Sequence, residues 1–304
     1  MSDNRRSHLV PVLQALVVTF LWSTSWVLIK FGLEEIPALT FAGLRYSFAA
    51  LVLILVALSS TEIRRSVMAL SAAKWMQLIA LGLVFYTLTQ GAMFVALEHV
   101  PAISLTLILS FTPAAVALMA IPWLGERPRR IQWIGIATFL AGVMIYFAPA
   151  GMSLQRIGLM AGLTCLVANA ISTLMGRQIN RALELHPLVV TVVSMGFGSA
   201  GLLAVGSSMQ GLPPLSPRSW AIIGWLAVVN TAFAFTLWNH TLRRLTAVES
   251  SIINNTMTVQ IAILAWLFLG ESVDLRGLLG LTLAVVGAVL VQLPQRGSRN
   301  ESGS

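Results

Sequence analysis

Ten apolar runs of about twenty residues each divide the chain, at 9–31, 38–59, 75–97, 102–124, 132–149, 157–176, 188–208, 219–241, 249–269 and 277–293. Within each run the apolar residues surround a helical wheel instead of forming a stripe, and polar residues gather in the short segments between. Barrel strands would alternate in polarity over about ten residues. Uniformly apolar runs of twice that length predict helices, whose backbone groups are satisfied within the segment. A hydrocarbon core about 30 Å thick takes roughly 20 helical residues to cross. The pattern therefore predicts an all-α integral membrane protein of ten transmembrane helices. The first run is longer than a signal-peptide core and has no clean small-x-small cleavage site after it, so it is read as a retained helix. The segment 295–304, after Pro294, is polar and reads as a tail.

Composition agrees. Apolar residues make up 57% of the 304 and charged residues only 10%, too few to cover the surface of a soluble domain. The net charge of +8 raises nucleic acid as a partner, but the basic residues sit in pairs between apolar runs (Arg64-Arg65, Arg129-Arg130, Arg243-Arg244) and form no basic stripe. If the N-terminus is cytoplasmic and there are ten spans, 14 Lys/Arg fall in cytoplasmic segments and 3 in outer loops, with Lys30 and Arg45 inside spans. That bias predicts both termini inside, in the cytoplasmic membrane. Trp75, Trp123, Trp133 and Trp220 fall near span ends, where an amphipathic ring prefers the headgroup level.

A shift of 145 residues lays the first half of the chain on the second. Leu124-Gly125-Glu126 falls on Leu269-Gly270-Glu271, Gly135 on Gly280 and Gly142 on Gly287. Five spans per half is an odd number, so the second half enters from the opposite side. The expected organisation is two inverted five-helix repeats, 1–149 and 150–294, followed by the tail 295–304. Inverted repeats supply two access states around a site near the midplane.

These residues also carry a family resemblance. LWSTSWVLIKFGL in the first run, FAGLRYSFAALVL in the second and ALEHVPAISLTLILSFTPAAVALMAIPWLGERPRRIQWIGIATFLAGVMI resemble the first unit of EamA-type proteins. LWNHTLRRLTAVESSIINNTMTVQIAILAWLFLGESVDLRGLLGLTLAVVGAVLV resembles the second unit. The resemblance implies a ten-helix transporter of the drug/metabolite transporter superfamily with a central cavity between its halves. Members of that superfamily export amino acids, metabolites or toxic compounds, or carry sugar derivatives. One departure is that Pro113 holds a mid-helix position of the first unit where the second has Thr258.

Polar residues at mid-helix depth are the candidates for a solute site, because they are costly in hydrocarbon unless they pair or face a cavity. They are Tyr86 and Gln90 at i, i+4 in the third span, Asn169 in the sixth, Asn230 in the eighth and Asn254 in the ninth, with Trp22 as an aromatic wall. The competing reading is interhelical hydrogen bonding, worth about 0.6 kcal/mol each on average. Arg45, two turns into its span, needs a partner. Either it reaches outward to Glu34 or Glu35, or it attracts an anionic group of a solute. Glu126 and Glu271 are read as organisers of loop-to-helix turns.

Two patterns mislead. Gly196-Phe197-Gly198-Ser199-Ala200-Gly201 fits G-x-G-x-x-G, and Gly158 with Gly162 fits G-x-x-x-G. The first lacks the preceding strand and the later acidic residue of a dinucleotide site, so both are read as close helix contacts. The single cysteine, Cys165, allows no intrachain disulfide and no cysteine metal site. With no Walker A, HExxH or GxSxG pattern, no cofactor, metal or catalytic residue is assigned. The expected activity is secondary transport of a small organic metabolite by alternating access, export favoured. A membrane-embedded enzyme or lipid-handling protein is the alternative, and monomer and homodimer both stay open.

Overall fold

The structure, a computed structural model, describes residues 2–112, 114–116, 118–119, 130–147, 156–182, 185–242 and 247–292. Pro113, Trp123, Leu124-Gly125-Glu126, Arg129, Arg243-Arg244 and the tail 295–304 lie outside the described residues.

Regular structure among the described residues is helical. In chain order the helices are α1 (Ser2–Gly32), α2 (Ala38–Ser59), α3 (Thr61–Met68), α4 (Ala72–His99), α5 (Ala102–Leu109) and α6 (Arg130–Phe147). They continue with α7 (Arg156–Ala182), α8 (Pro187–Gln210), α9 (217–242), α10 (Ala247–Leu269) and α11 (Leu275–Gln292). Five helical stretches are long and apolar enough to cross a membrane by length and composition: Leu9–Gly32, Ala38–Ser59, Ala72–His99, Arg156–Gly176 and Pro187–Gln210. Shorter apolar helices include Trp133–Tyr146, Thr256–Leu269 and Leu275–Gly287.

Two features depart from the expected runs. The short α3 is amphipathic: Ser60 caps its start by accepting from the Ile63 amide, Ile63 is buried, and Arg64 and Arg65 face outward. It has too few apolar residues to register as a run. In addition, α4 and α9 each contain a π-helical segment, Leu83–Gln90 and Val228–Phe233. Threonine hydroxyls reach five residues back there, Thr89 Oγ1 to the Val84 carbonyl at 2.9 Å and Thr231 Oγ1 to Leu226 at 2.8 Å. The apolar pattern carries no trace of either segment, but π segments gather at functional sites.

The bundle is apolar inside and out. Phe41, Phe94, Ile29, Leu97, Ile103 and Leu105 form the fully buried centre, with Phe41 and Phe94 edge to face at 5.2 Å. On the outside, Leu51, Leu55, Trp225, Trp266 and Phe268 are each more than half exposed. Such a belt would drive a soluble protein to associate, and it is what acyl chains require.

Small residues bring the helices together. A Cβ at Gly198 would overlap the Gly82 carbonyl, and one at Gly201 would press on Thr87. That motif therefore packs α8 on α4 through two of its glycines, while Gly196 faces open space. Gly158 and Gly162 pack α7 on His99-Val100 and on Leu105 and Ile108. The helices α6 and α11 approach through the glycines that the 145-residue shift aligned. Gly142 meets Gly280, and Gly287 meets Gly135. Contact positions rise along one helix as they fall along the other, so the two run antiparallel.

Candidate functional site

Near the middle of the bundle, α2, α4 and α9 each contribute polar side chains to one cluster. From α2 comes Arg45, only 4% exposed. Its Nε and Nη2 both donate to Thr231 Oγ1 at 3.4 Å, long contacts onto a single oxygen. Its guanidinium lies 5.0 Å from the centre of the Tyr46 ring and 6.0 Å from that of Phe94. Tyr46 donates its hydroxyl to Gln90 Oε1 at 2.7 Å and packs its ring 5.5 Å from that of Tyr86. The structure thus joins Tyr86 and Gln90 through Tyr46, which the apolar pattern did not single out. The shift of 145 offered one signal for the far wall, since it pairs Tyr86 with Thr231.

The expectation that Arg45 reaches outward to Glu34 or Glu35 is corrected. Glu34 pairs with Arg218 at 3.5 Å. Glu35 accepts hydrogen bonds from Ser216 Oγ at 2.5 Å and Ser219 Oγ at 2.6 Å. Those hydroxyls, with a smaller contribution from Arg218, hold the Glu35 carboxyl below its ordinary range against the opposing effect of desolvation. Local geometry decides this: the start of α9 presents its cap Ser216 and first-turn Ser219, so Glu35 is engaged there while Arg45 stays inside the bundle.

One residue before Thr231, Asn230 faces α1 and is fully buried. Its Nδ2 donates to the Leu21 carbonyl, to Thr24 Oγ1 at 3.1 Å and to Ser25 Oγ at 2.9 Å. Its Oδ1 has no hydrogen-bond partner among the described residues. A second polar node ties α1 to α10, where Ser23 donates to Gln260 Oε1 at 3.0 Å and Gln260 donates to Thr19 and Thr256. Trp22 lies in an aromatic group with Phe235 at 5.2 Å and Trp238 at 5.3 Å, its indole Nε1 buried without a hydrogen-bond partner among the described residues. Asn169 is half-buried and Asn254 exposed. Neither side chain hydrogen-bonds to the other candidates among the described residues. A lateral apolar groove of about 300 Å³ runs between α1, α9 and α10, with Phe20, Thr24, Trp225 and Phe268 among its walls.

The ends of the helices on the side of the α1–α2 turn are stitched together. Gln210 Oε1 accepts from the Leu39 and Thr40 amides at the start of α2. Lys30 Nζ donates to the Val100 carbonyl at 2.8 Å. Glu271 takes the Ala102 and Ile103 amides at 2.7 and 3.0 Å, capping α5, the turn-organising role expected of it.

The sequence is similar to known proteins along almost its whole length. An uncharacterized transporter of Archaeoglobus fulgidus is 22% identical over 298 residues, covering 96% of this chain and 99% of the relative. The uncharacterized inner membrane transporter YedA of Escherichia coli K12 is 24% identical, covering 95% of this chain and 93% of YedA. The pseudopaline exporter CntI of Pseudomonas aeruginosa is 24% identical, covering 94% and 97%. A crystal structure covering 94% of this chain and 98% of its own superposes with a TM-score of 0.63 at 20% identity, a likeness that speaks of the fold alone. The family model for EamA-like transporters matches residues 9–148 and again 156–293. A polar cluster held inside an apolar bundle, in a chain matched by that model through both halves, leads to one conclusion: this protein belongs to the EamA-like transporter family.

Proposed function

We propose that the chain is a secondary transporter that moves a small organic solute across the cytoplasmic membrane by alternating access between two inverted five-helix repeats. The observation that carries this reading is the cluster of Arg45, Tyr46, Tyr86, Gln90 and Thr231, in which a buried cation meets buried hydroxyl groups and the half-buried Gln90 amide across helices of both halves. Polar groups at this depth are costly unless they serve a path or a site. Asn230 and Trp22 extend the proposed site towards α1, and each retains a buried polar atom, Oδ1 and Nε1, with no partner among the described residues. Asn169 and Asn254 enter the proposed lining on sequence depth.

The ten-span, inverted organisation is supported by helix directions. Besides the antiparallel α6 and α11, α2 and α8 run antiparallel, with Gly43 on Leu203 and Thr40 on Gly206. By the same comparison α4 and α8 run parallel, with Gly82 on Ser194 and Thr87 on Gly201. Ten alternating spans require all three. The two π segments begin at Leu83 and Val228, again 145 residues apart. The Lys/Arg bias supports both termini in the cytoplasm, and the cytoplasmic membrane accords with the name of YedA. Export is favoured because a relative of this length is named an exporter. Metabolite profiles of medium and cytosol, with and without overexpression, followed by liposome uptake of the solutes that change, test the proposal. A profile unchanged by overexpression counts against it.

A further inference from the structure

We infer that the solute carries a carboxylate and that Arg45 receives it. This rests on the transporter reading and adds the chemical class of the substrate. Arg45 is buried to 4% exposure, and none of the described carboxylates pairs with it. Glu34 and Glu35, nearest in sequence, are engaged by Arg218, Ser216 and Ser219. The guanidinium has five N–H donors in a planar fork. Among the described residues they reach one acceptor oxygen, Thr231 Oγ1, at 3.4 Å from both Nε and Nη2. The rings of Tyr46 and Phe94 offer their faces to the cation but no formal charge. A buried charge is held by a counter-charge or by good hydrogen bonds, and here neither is complete.

A carboxylate supplies what is missing. Its two oxygens match the guanidinium fork in a bidentate pair, and its single negative charge balances a single cation. A phosphate dianion would leave one charge over, because Lys30, the other basic residue within the first two spans, is directed to the Val100 carbonyl and not to this cluster. The rings of Tyr46 and Phe94 against the guanidinium, with Tyr86 packed on Tyr46, suit an apolar or aromatic body beside the acid group. Arg45 and Thr231 belong to opposite halves of the chain, so the movement that separates the halves exposes the guanidinium to an entering solute.

The test uses purified full-length protein with benzoate and its neutral isostere benzamide as probes, at constant ionic strength. Unfolding is followed by a thiol-reactive fluorogenic dye at Cys165, which is buried in the folded protein. Benzoate is expected to raise the melting midpoint saturably and benzamide to leave it unchanged. Arg45→Gln is expected to weaken the benzoate response at least tenfold, and Arg45→Lys to retain an intermediate response. No benzoate shift in the wild type, an equal shift with benzamide, or an undiminished Arg45→Gln response would each overturn the assignment. If Arg45→Gln does not fold, the wild-type pair of probes decides alone. The export profile separates the two claims. Solutes exported by the wild type but lacking a carboxylate would sink the Arg45 assignment and leave the transporter reading standing. No exported solute at all would sink the transporter reading.

Discussion

Replacing Glu271 by alanine removes the only side-chain cap on α5 among the described residues. Pro101 precedes that helix with no side-chain cap of its own, and the Ala102 and Ile103 amides both point at the Glu271 carboxylate, at 2.7 and 3.0 Å. An N-cap is worth about 1 kcal/mol, and a carboxylate against the positive end of the helix dipole adds roughly 0.3–1 kcal/mol. The Glu271→Ala loss is therefore expected at about 1–2 kcal/mol. Glu271→Gln keeps one acceptor oxygen and loses the charge, so its loss should fall between wild type and alanine. The residue lies beyond α10 in the second half while α5 belongs to the first, so the effect measures a tie between the halves. The assay is thermal unfolding of the detergent-solubilised protein read at Cys165, the one cysteine in the chain and buried. A midpoint for Glu271→Ala indistinguishable from wild type would refute the capping argument. A glutamine variant as destabilised as alanine would show that charge, and not the hydrogen bonds, dominates.

Gly142→Leu and Gly280→Leu should each push α6 from α11, since a Cβ at either position overlaps the other helix's backbone. Losses of at least about 1–3 kcal/mol are expected, read in the same assay, whereas Gly176→Leu, where a Cβ meets open space, should cost far less. Asn230→Leu removes the donor shared by Leu21, Thr24 and Ser25 and should cost about 1–2 kcal/mol; a melting midpoint equal to wild type would show that these bonds contribute nothing net. The Glu35 latch predicts a pH dependence with a fixed sign. Its carboxyl is held low by Ser216 and Ser219, so its contribution is full above the ordinary carboxylate range and is lost as pH falls through the lowered value. The difference in midpoint between wild type and Glu35→Ala should be flat above about pH 5 and shrink below it; a difference that grows on acidification would reverse the argument.

The positions of the long helices were legible because a span must be apolar all round, and that leaves an unbroken run in the sequence. The 145-residue shift was legible for a related reason: Gly135, Gly142, Gly280 and Gly287 sit at a helix crossing that admits no side chain. What stayed hidden follows from the same physics. The π segments change hydrogen-bond register without changing polarity, and α3 is too short and too polar to form a run. Within the site, depth along a span placed Tyr86, Gln90 and Asn230 among the candidates. Depth does not say which way around the helix a side chain points. Asn230 and Thr231 are neighbours in sequence yet face α1 and α2 respectively, and Asn254 faces outward. Tyr46 was passed over, although its ring lies against Arg45 and its hydroxyl donates to Gln90. The direction of Arg45 depended on where Glu34 and Glu35 went, and for Glu35 that was decided by serines 181 and 184 residues away in the chain.

The central claim is that the protein is a carrier with alternating access, and transient counterflow tests it most directly. Proteoliposomes holding the purified protein are loaded with an unlabelled solute identified from the export profile and diluted into a trace of the labelled solute, without ATP. A carrier exchanges one for the other, so the account predicts labelled solute rising transiently above its equilibrium level, and no such overshoot in protein-free liposomes. Labelled solute that only equilibrates, or enters no faster than into protein-free liposomes, would contradict it.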